Sequence, residues 1–451
     1  MARSRVGYQD VDADYHQQRS LKQGAAGWIL LAGLGVSYVI SGDFAGWNFG
    51  LAEMSSALPV AGAGYGFARR ALGPIGGFAT GMAVLIEYAV APAAISVFIG
   101  GYVEALGLFG LTNGWLVYLI AYVVFIGVHL YGVGEALKLM FGITAIAVVA
   151  LVAAVIGLAP KFSTSNLFDI ASDGSTLSSD FLPYGISGVV AALVYGIWFF
   201  LAVEGVPLAA EETADPKRDM PRGIITAMLV LLVFASLMLL VVPGSAGSET
   251  VRTSDNPLPE AIRAVYGSNS LLADFVNYAG LAGLVASFFS IIYAYSRQLF
   301  ALSRAGYLPK GLSLTSGRNT PWVALIVPGS IGFVLAATTK DGALLINIAV
   351  FGATTSYVLL NLSHIMLRRR EPDLERSYRT PGGVVTTGLG LALSLVAMVA
   401  TFFVDEKAAG ITAAVFVAAL AYFWFYSRHH LVASAPEEEF AQIDEAENEL
   451  K

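Results

Sequence analysis

Apolar runs longer than about 18 residues recur along this chain, and that feature leaves few folds open. A bilayer core takes about 20 helical residues to cross, and within it every backbone polar group needs a partner from the chain itself. Only 13% of the 451 residues are charged and 56% are hydrophobic, where a soluble domain carries about 25% charged residues. The sequence therefore predicts an all-α polytopic membrane protein with the lipid bilayer as its first partner. The absence of cysteine excludes a disulfide framework, a thiolate metal site and a cysteine nucleophile. Basic residues lie in short loops rather than on one face, which argues against a nucleic-acid partner.

The first run, Trp28–Ile40, is followed by predicted spans at 74–106, 114–133, 136–158, 184–209, 222–243, 274–301, 321–338, 342–367, 384–404 and 408–427, eleven in all. Residues 1–24 are polar and mixed in charge, and read as a cytoplasmic tail rather than a signal peptide. Ala52–Gly73 reads as a loop, with Pro59, closely spaced glycines and the pair Arg69, Arg70. Arginine and lysine cluster at 69–70, 217–222, 304–318, 368–370 and 428, so strict alternation places these loops and the C-terminus in the cytoplasm. Arg19 and Lys22 belong on that side too, yet residues 25–58 offer 34 residues where two crossings need about 40. Three arrangements fit: an N-terminus outside, a re-entrant hairpin over 25–58, or a chain one span short. The acidic end, Glu437–Lys451, reads as a mobile cytoplasmic segment.

Two predicted spans are interrupted. Ser41–Gly50, SGDFAGWNFG, places three glycines and Asp43 just after an apolar run. Each glycine costs about 1 kcal/mol relative to alanine in a helix, and a carboxylate at membrane depth costs a few kcal/mol. Tyr195–Ala210, YGIWFFLAVEGVPLAA, sets Gly196, Glu204, Gly205 and Pro207 inside a second span. Secondary transporters build solute sites from such discontinuous helices, commonly in inverted repeats. Pairing the two breaks gives a first repeat at 25–158, shorter by about one helix, and a second at 184–370. Two trailing helices (384–427) and an acidic tail (428–451) follow.

EGVPLAAEETADPKRDMPRGI (Glu204–Ile224) resembles the sixth helix and following loop of the amino acid–polyamine–organocation transporters. SIIYAYSRQLFALSRAGYLPK (Ser290–Lys310) is similar to their eighth helix, and AEMSSALPVAGAGYGFARRALG to the end of the second helix and start of the third. VSYVISGDFAGWNFGL, LIEYAVAPAAISVFIGGY and GVGEALKLMF resemble the ethanolamine permease branch. The resemblance implies a LeuT-like fold of two inverted five-helix repeats plus two helices in a bacterial inner membrane, with about 11 spans instead of 12. The second helix is almost wholly absent. It also implies import of ethanolamine or a similar small organic amine by alternating access; the alternatives are an amino acid permease and a non-transporting deletion variant.

Ser41, Gly42, Asp43 and Phe44 form the expected first half of a site for a small cationic amine, because Asp43 attracts an ammonium where relatives offer free amides to a carboxylate. Glu204 is the expected second acid. Trp47 and Phe200 are candidates to enclose the ammonium by cation–π contact. Glu87 is a candidate proton relay, and the coupling ion is a proton or sodium. Some proton-coupled relatives carry a fifth-helix lysine, where this chain aligns Ala147. Glu211, Glu212, Lys217, Arg218 and Arg222 read as a solvated face that sets topology. His129 and His364 read as hydrogen-bonded core residues. No cofactor, metal site or enzymatic nucleophile is expected.

Overall fold

The computed structural model describes residues 6–438 except 25, 39–44, 60–61, 112–113, 199–202, 253, 255–256 and 437. In chain order it runs β1 (Tyr8–Gln9), α1 (Ala13–Gln17), α2 (Trp28–Tyr38), α3 (Ala45–Ala57), α4 (Gly64–Leu72), α5 (Pro74–Ala105), α6 (Gly114–Tyr131), α7 (Val133–Leu158) and α8 (Gly185–Trp198). A 3-10 segment, Val203–Glu212, comes next. The rest is α9 (Pro216–Ala246), α10 (Ser248–Arg252), α11 (Pro257–Tyr266), α12 (Leu271–Arg304), α13 (Trp322–Thr339), α14 (Gly342–Arg370), α15 (Val384–Val404), α16 (Glu406–Phe425) and β2 (Leu431–Val432). Among the described residues nine helices are long and apolar enough to cross a membrane: α5, α6, α7, α9 and α12 to α16. The most buried are α5, α12 and α14, and α5 packs along both of the others.

The other two expected spans are the interrupted ones. Their described parts are α2, with 11 residues, and α8, with 14, each followed directly by residues outside the described ones. After α8 the chain resumes as the 3-10 segment carrying Pro207, where a proline cannot donate the bond an α-helix needs. The second interruption thus falls where the sequence places it. Residues 39–44, which hold the first, lie outside the described residues.

Two expectations are corrected. The stretch 52–73 is mostly helix rather than loop, because α3 runs to Ala57 and α4 fills 64–72. Gly64 serves packing, since a Cβ there would sit 3.1 Å from Leu360 of α14. The start of the acidic tail is docked, since Glu438 is fully buried. Its carboxylate accepts from Arg69 Nε at 3.0 and 2.9 Å and from Tyr307 Oη at 2.9 Å. The N-terminal tail joins it, with β1 parallel to β2 and Tyr8 Oη accepting from Arg69 at 2.8 Å.

Both tails and Arg69 therefore share one side. Ala26 bridges to Thr213. At the end of α3, the fully buried Glu53 meets Arg368 at 2.6 Å and Arg376 at 2.9 Å, just past α14. Both α2 and α3 pack on α9. Burial pushes the Glu53 carboxyl up, but bonds from His364, Arg368 and the Thr380 amide outweigh it and bring its pKa down to about 2. A depressed carboxyl pKa stabilises the fold above its ordinary value of 4.5, and that contribution fades as pH falls from 4.5 toward 2.

Glu438→Ala leaves Arg69 buried without its carboxylate and should cost about 3–5 kcal/mol, seen as a lower unfolding midpoint in detergent. Lys217→Ala, which removes an exposed pair 3.8 Å from Glu375, should cost under about 1 kcal/mol. Equal shifts would contradict a docked tail.

Candidate substrate site

The 3-10 segment places Glu204 at its start, directly past the interruption, with 3% of its surface exposed. A carboxylate this deep needs partners, and two tyrosines supply them. Tyr88 of α5 donates its hydroxyl to Glu204 Oε1 at 2.9 Å, and Tyr357 of α14 donates to Oε2 at 3.2 Å. The residue beside Tyr88 is Glu87, which is fully buried as well. Gly352 lets α14 approach this point, since a Cβ there would lie 3.0 Å from the Glu87 amide nitrogen. The cluster joins the interrupted segment to the two central helices and groups two acids with two phenols away from lipid.

Of the residues expected from sequence, Glu204 and Glu87 come together. Ser41, Gly42, Asp43, Phe44 and Phe200 lie outside the described residues, and Trp47 lies on the first turn of α3 with its side chain outside them. Sequence reasoning missed Tyr88 and Tyr357. Tyr88 carried a signal, as the neighbour of an intramembrane acid; Tyr357 sits 153 positions from its partner and carried none. His129 and His364 are core residues as expected: His129 bonds the Phe289 carbonyl at 2.9 Å and His364 bonds Thr387 at 2.8 Å. No group of three His, Cys, Asp or Glu among the described residues is placed to hold a metal.

The charged stretch after Glu204 is a further correction. Glu212 is fully buried, accepts from Arg297 of α12 at 2.9 Å and receives the Tyr293 hydroxyl. Glu211 accepts from Arg304 at 3.0 Å. Neither belongs to a solvated face, while Lys217, Arg218 and Arg222 are exposed as expected. The two acids turn inward because α12 presents arginines where the 3-10 segment ends.

A family profile for amino acid permeases matches residues 30–440. An uncharacterised transporter of Rhizobium meliloti is 28% identical over 82% of this chain and 84% of its own length. A branched-chain amino acid permease of Bacillus subtilis is 26% identical over 80% of this chain and 79% of its own. A methylthioribose transporter of the same organism is 26% identical over 79% and 78%.

Tyr88→Phe removes one of the bonds to a buried carboxyl and should lower stability by about 1–3 kcal/mol, measured by thermal unfolding in detergent. An unchanged midpoint would show that the phenol does not hold Glu204.

Proposed function

This chain belongs to the amino acid permease family, a family of multi-pass membrane transporters, and from that premise we propose that it carries a small amino acid by alternating access through a site at Glu204. The observation that carries the reading is a buried carboxylate, gripped by two phenols, at the end of an interrupted helix. A carboxylate there binds a substrate ammonium by charge-assisted hydrogen bonds, and Tyr88 and Tyr357 hold its oxygens in place. In this reading Glu87, a buried acid next to Tyr88, carries the coupling proton. Loss of that proton toward one side resets the charge of the pair between half-cycles. The basic loops put the tails in the cytoplasm of a bacterial inner membrane.

A second reading keeps the site and changes the solute. Asp43 follows the first apolar run where relatives offer free amides to a carboxylate. A second acid there favours ethanolamine or another small amine without a carboxylate, the solute suggested by the ethanolamine permease resemblance. The relatives favour the amino acid instead: one is a branched-chain amino acid permease.

Uptake into proteoliposomes separates the two. Labelled leucine should accumulate under an inward proton gradient, compete with unlabelled neutral amino acids and resist excess ethanolamine. Glu204→Gln should lower uptake by about tenfold or more, and Glu87→Gln should remove its dependence on the gradient. Ethanolamine uptake lost in Asp43→Asn would select the second reading. Full uptake by Glu204→Gln would reject both.

A further inference from the structure

Four residues of the N-terminal tail, His16, Arg19, Ser20 and Gln23, line a cavity of about 350 Å³ together with Glu211 and Arg304. That volume falls in the range of small-molecule sites, about 300–1,000 Å³. All six side chains are polar, and only Arg304 belongs to a spanning helix, as the last residue of α12. The cavity is thus built from tail and segment ends, on the side where both tails lie.

The charges around it do not balance. Glu211 and Arg304 cancel each other, paired at 2.5 Å. Arg19 is only 8% exposed, yet its guanidinium donates to neutral oxygens: Ser313 Oγ at 2.9 Å and the Tyr15 and Lys310 carbonyls at 3.0 and 3.2 Å. It lies 3.9 Å from the centre of the Tyr15 ring, and the Lys310 ammonium lies 5.4 Å from the same centre. That ammonium donates to Gln9 at 2.7 Å. Among the described residues neither cation makes an ion pair. The acids of the same tail are engaged elsewhere, Asp12 with the Tyr15 amide and Asp14 with Gln18. Burial, and then the charge of Arg19, lower the Lys310 ammonium from its ordinary value. Two neighbouring cations, one of them almost wholly out of water, are costly to keep without a counter-charge.

We propose that this cavity binds a small phosphate ester that carries hydroxyl groups. The phosphate sits against Arg19, which keeps N–H donors beyond its three bonds, and beside His16, whose Nε2 meets Ser434 Oγ at 2.9 Å. A guanidinium matches a phosphate in charge and in its two-pronged geometry, and the field of Lys310 adds to the attraction. Glu211 repels the phosphate and accepts from the hydroxyls, which fixes the direction of the ligand. The inference is independent of the site at Glu204.

Calorimetric titration of the purified full chain in lipid-free detergent at about 0.15 M salt tests it. The probes are glucose 6-phosphate, inorganic phosphate and glucose. The ester should bind one site per chain with a Kd below about 1 mM, inorganic phosphate about tenfold more weakly, and glucose not at all. Arg19→Gln and Ser20→Glu should each weaken the ester by about tenfold or more. Ser20 is exposed, and a carboxylate in its place opposes the phosphate while sparing the bonds of Arg19. Ser20→Glu therefore decides alone if Arg19→Gln does not fold. Arg318→Gln, which loses a bond to the Tyr131 carbonyl outside the cavity, should bind like the wild type. No binding of the ester, or equal binding by all variants, overturns the proposal. Inorganic phosphate bound as tightly as the ester overturns the role given to the hydroxyls and Glu211. A failed ester, with an Arg19-dependent rise in unfolding midpoint on adding phosphatidylglycerol, would assign the cavity to a lipid headgroup instead.

Discussion

An interrupted helix survives inside a bilayer only if the polar groups exposed by the break find partners in the protein. The second break meets that demand from two sides: Glu204 is satisfied by phenols from α5 and α14, and the far end of its segment by Arg297 and the Ala26 backbone. These partners come from the most buried helices and from the entry of the other interrupted segment. The same bonds that make the break tolerable therefore bring the two segments together at the tail side and set two acids beside one another at the center.

The rest of the fold serves to keep these partners in register. Helices α2 and α3 pack on α9, and Gly223 of α9 allows the close approach, since a Cβ there would lie 2.7 Å from Leu31. Glu53 pins the return end of that pair to Arg368 and Arg376. The tails fasten the ends of α4 and α12 through Arg69, Glu438 and Tyr307. Between the Ala26–Thr213 bridge and α12, the ties include the pairs Glu212–Arg297 and Glu211–Arg304.

Much of the architecture was legible because membrane helices announce themselves by length and apolarity. The span read at 274–301 is observed as Leu271–Arg304, and that read at 342–367 as Gly342–Arg370. Glu204 and Glu87 were legible because acids are rare at such depth. What failed to show depended on distant partners. Gly64 and its neighbours looked like turn residues, and only the approach of Leu360 shows them to be a packing face. Glu438 looked like one more acid in an acidic tail until Arg69, 369 positions away, neutralised it. Glu212 looked solvated because charge in a loop usually is, and nothing nearby in sequence announces Arg297, 85 positions on. The family resemblance carried over to the amino acid permeases, while its narrower ethanolamine branch rests on the stretches VSYVISGDFAGWNFGL, LIEYAVAPAAISVFIGGY and GVGEALKLMF.

The central claim is that a transported amine docks on the carboxylate of Glu204 where the second segment breaks. An experimental structure with a transported amine bound tests it most directly. The account predicts the ligand nitrogen within hydrogen-bond distance of Glu204, between α5 and α14 and near Tyr88 and Tyr357. A ligand held elsewhere, with the Glu204–tyrosine bonds intact and no contact to that carboxylate, would contradict it.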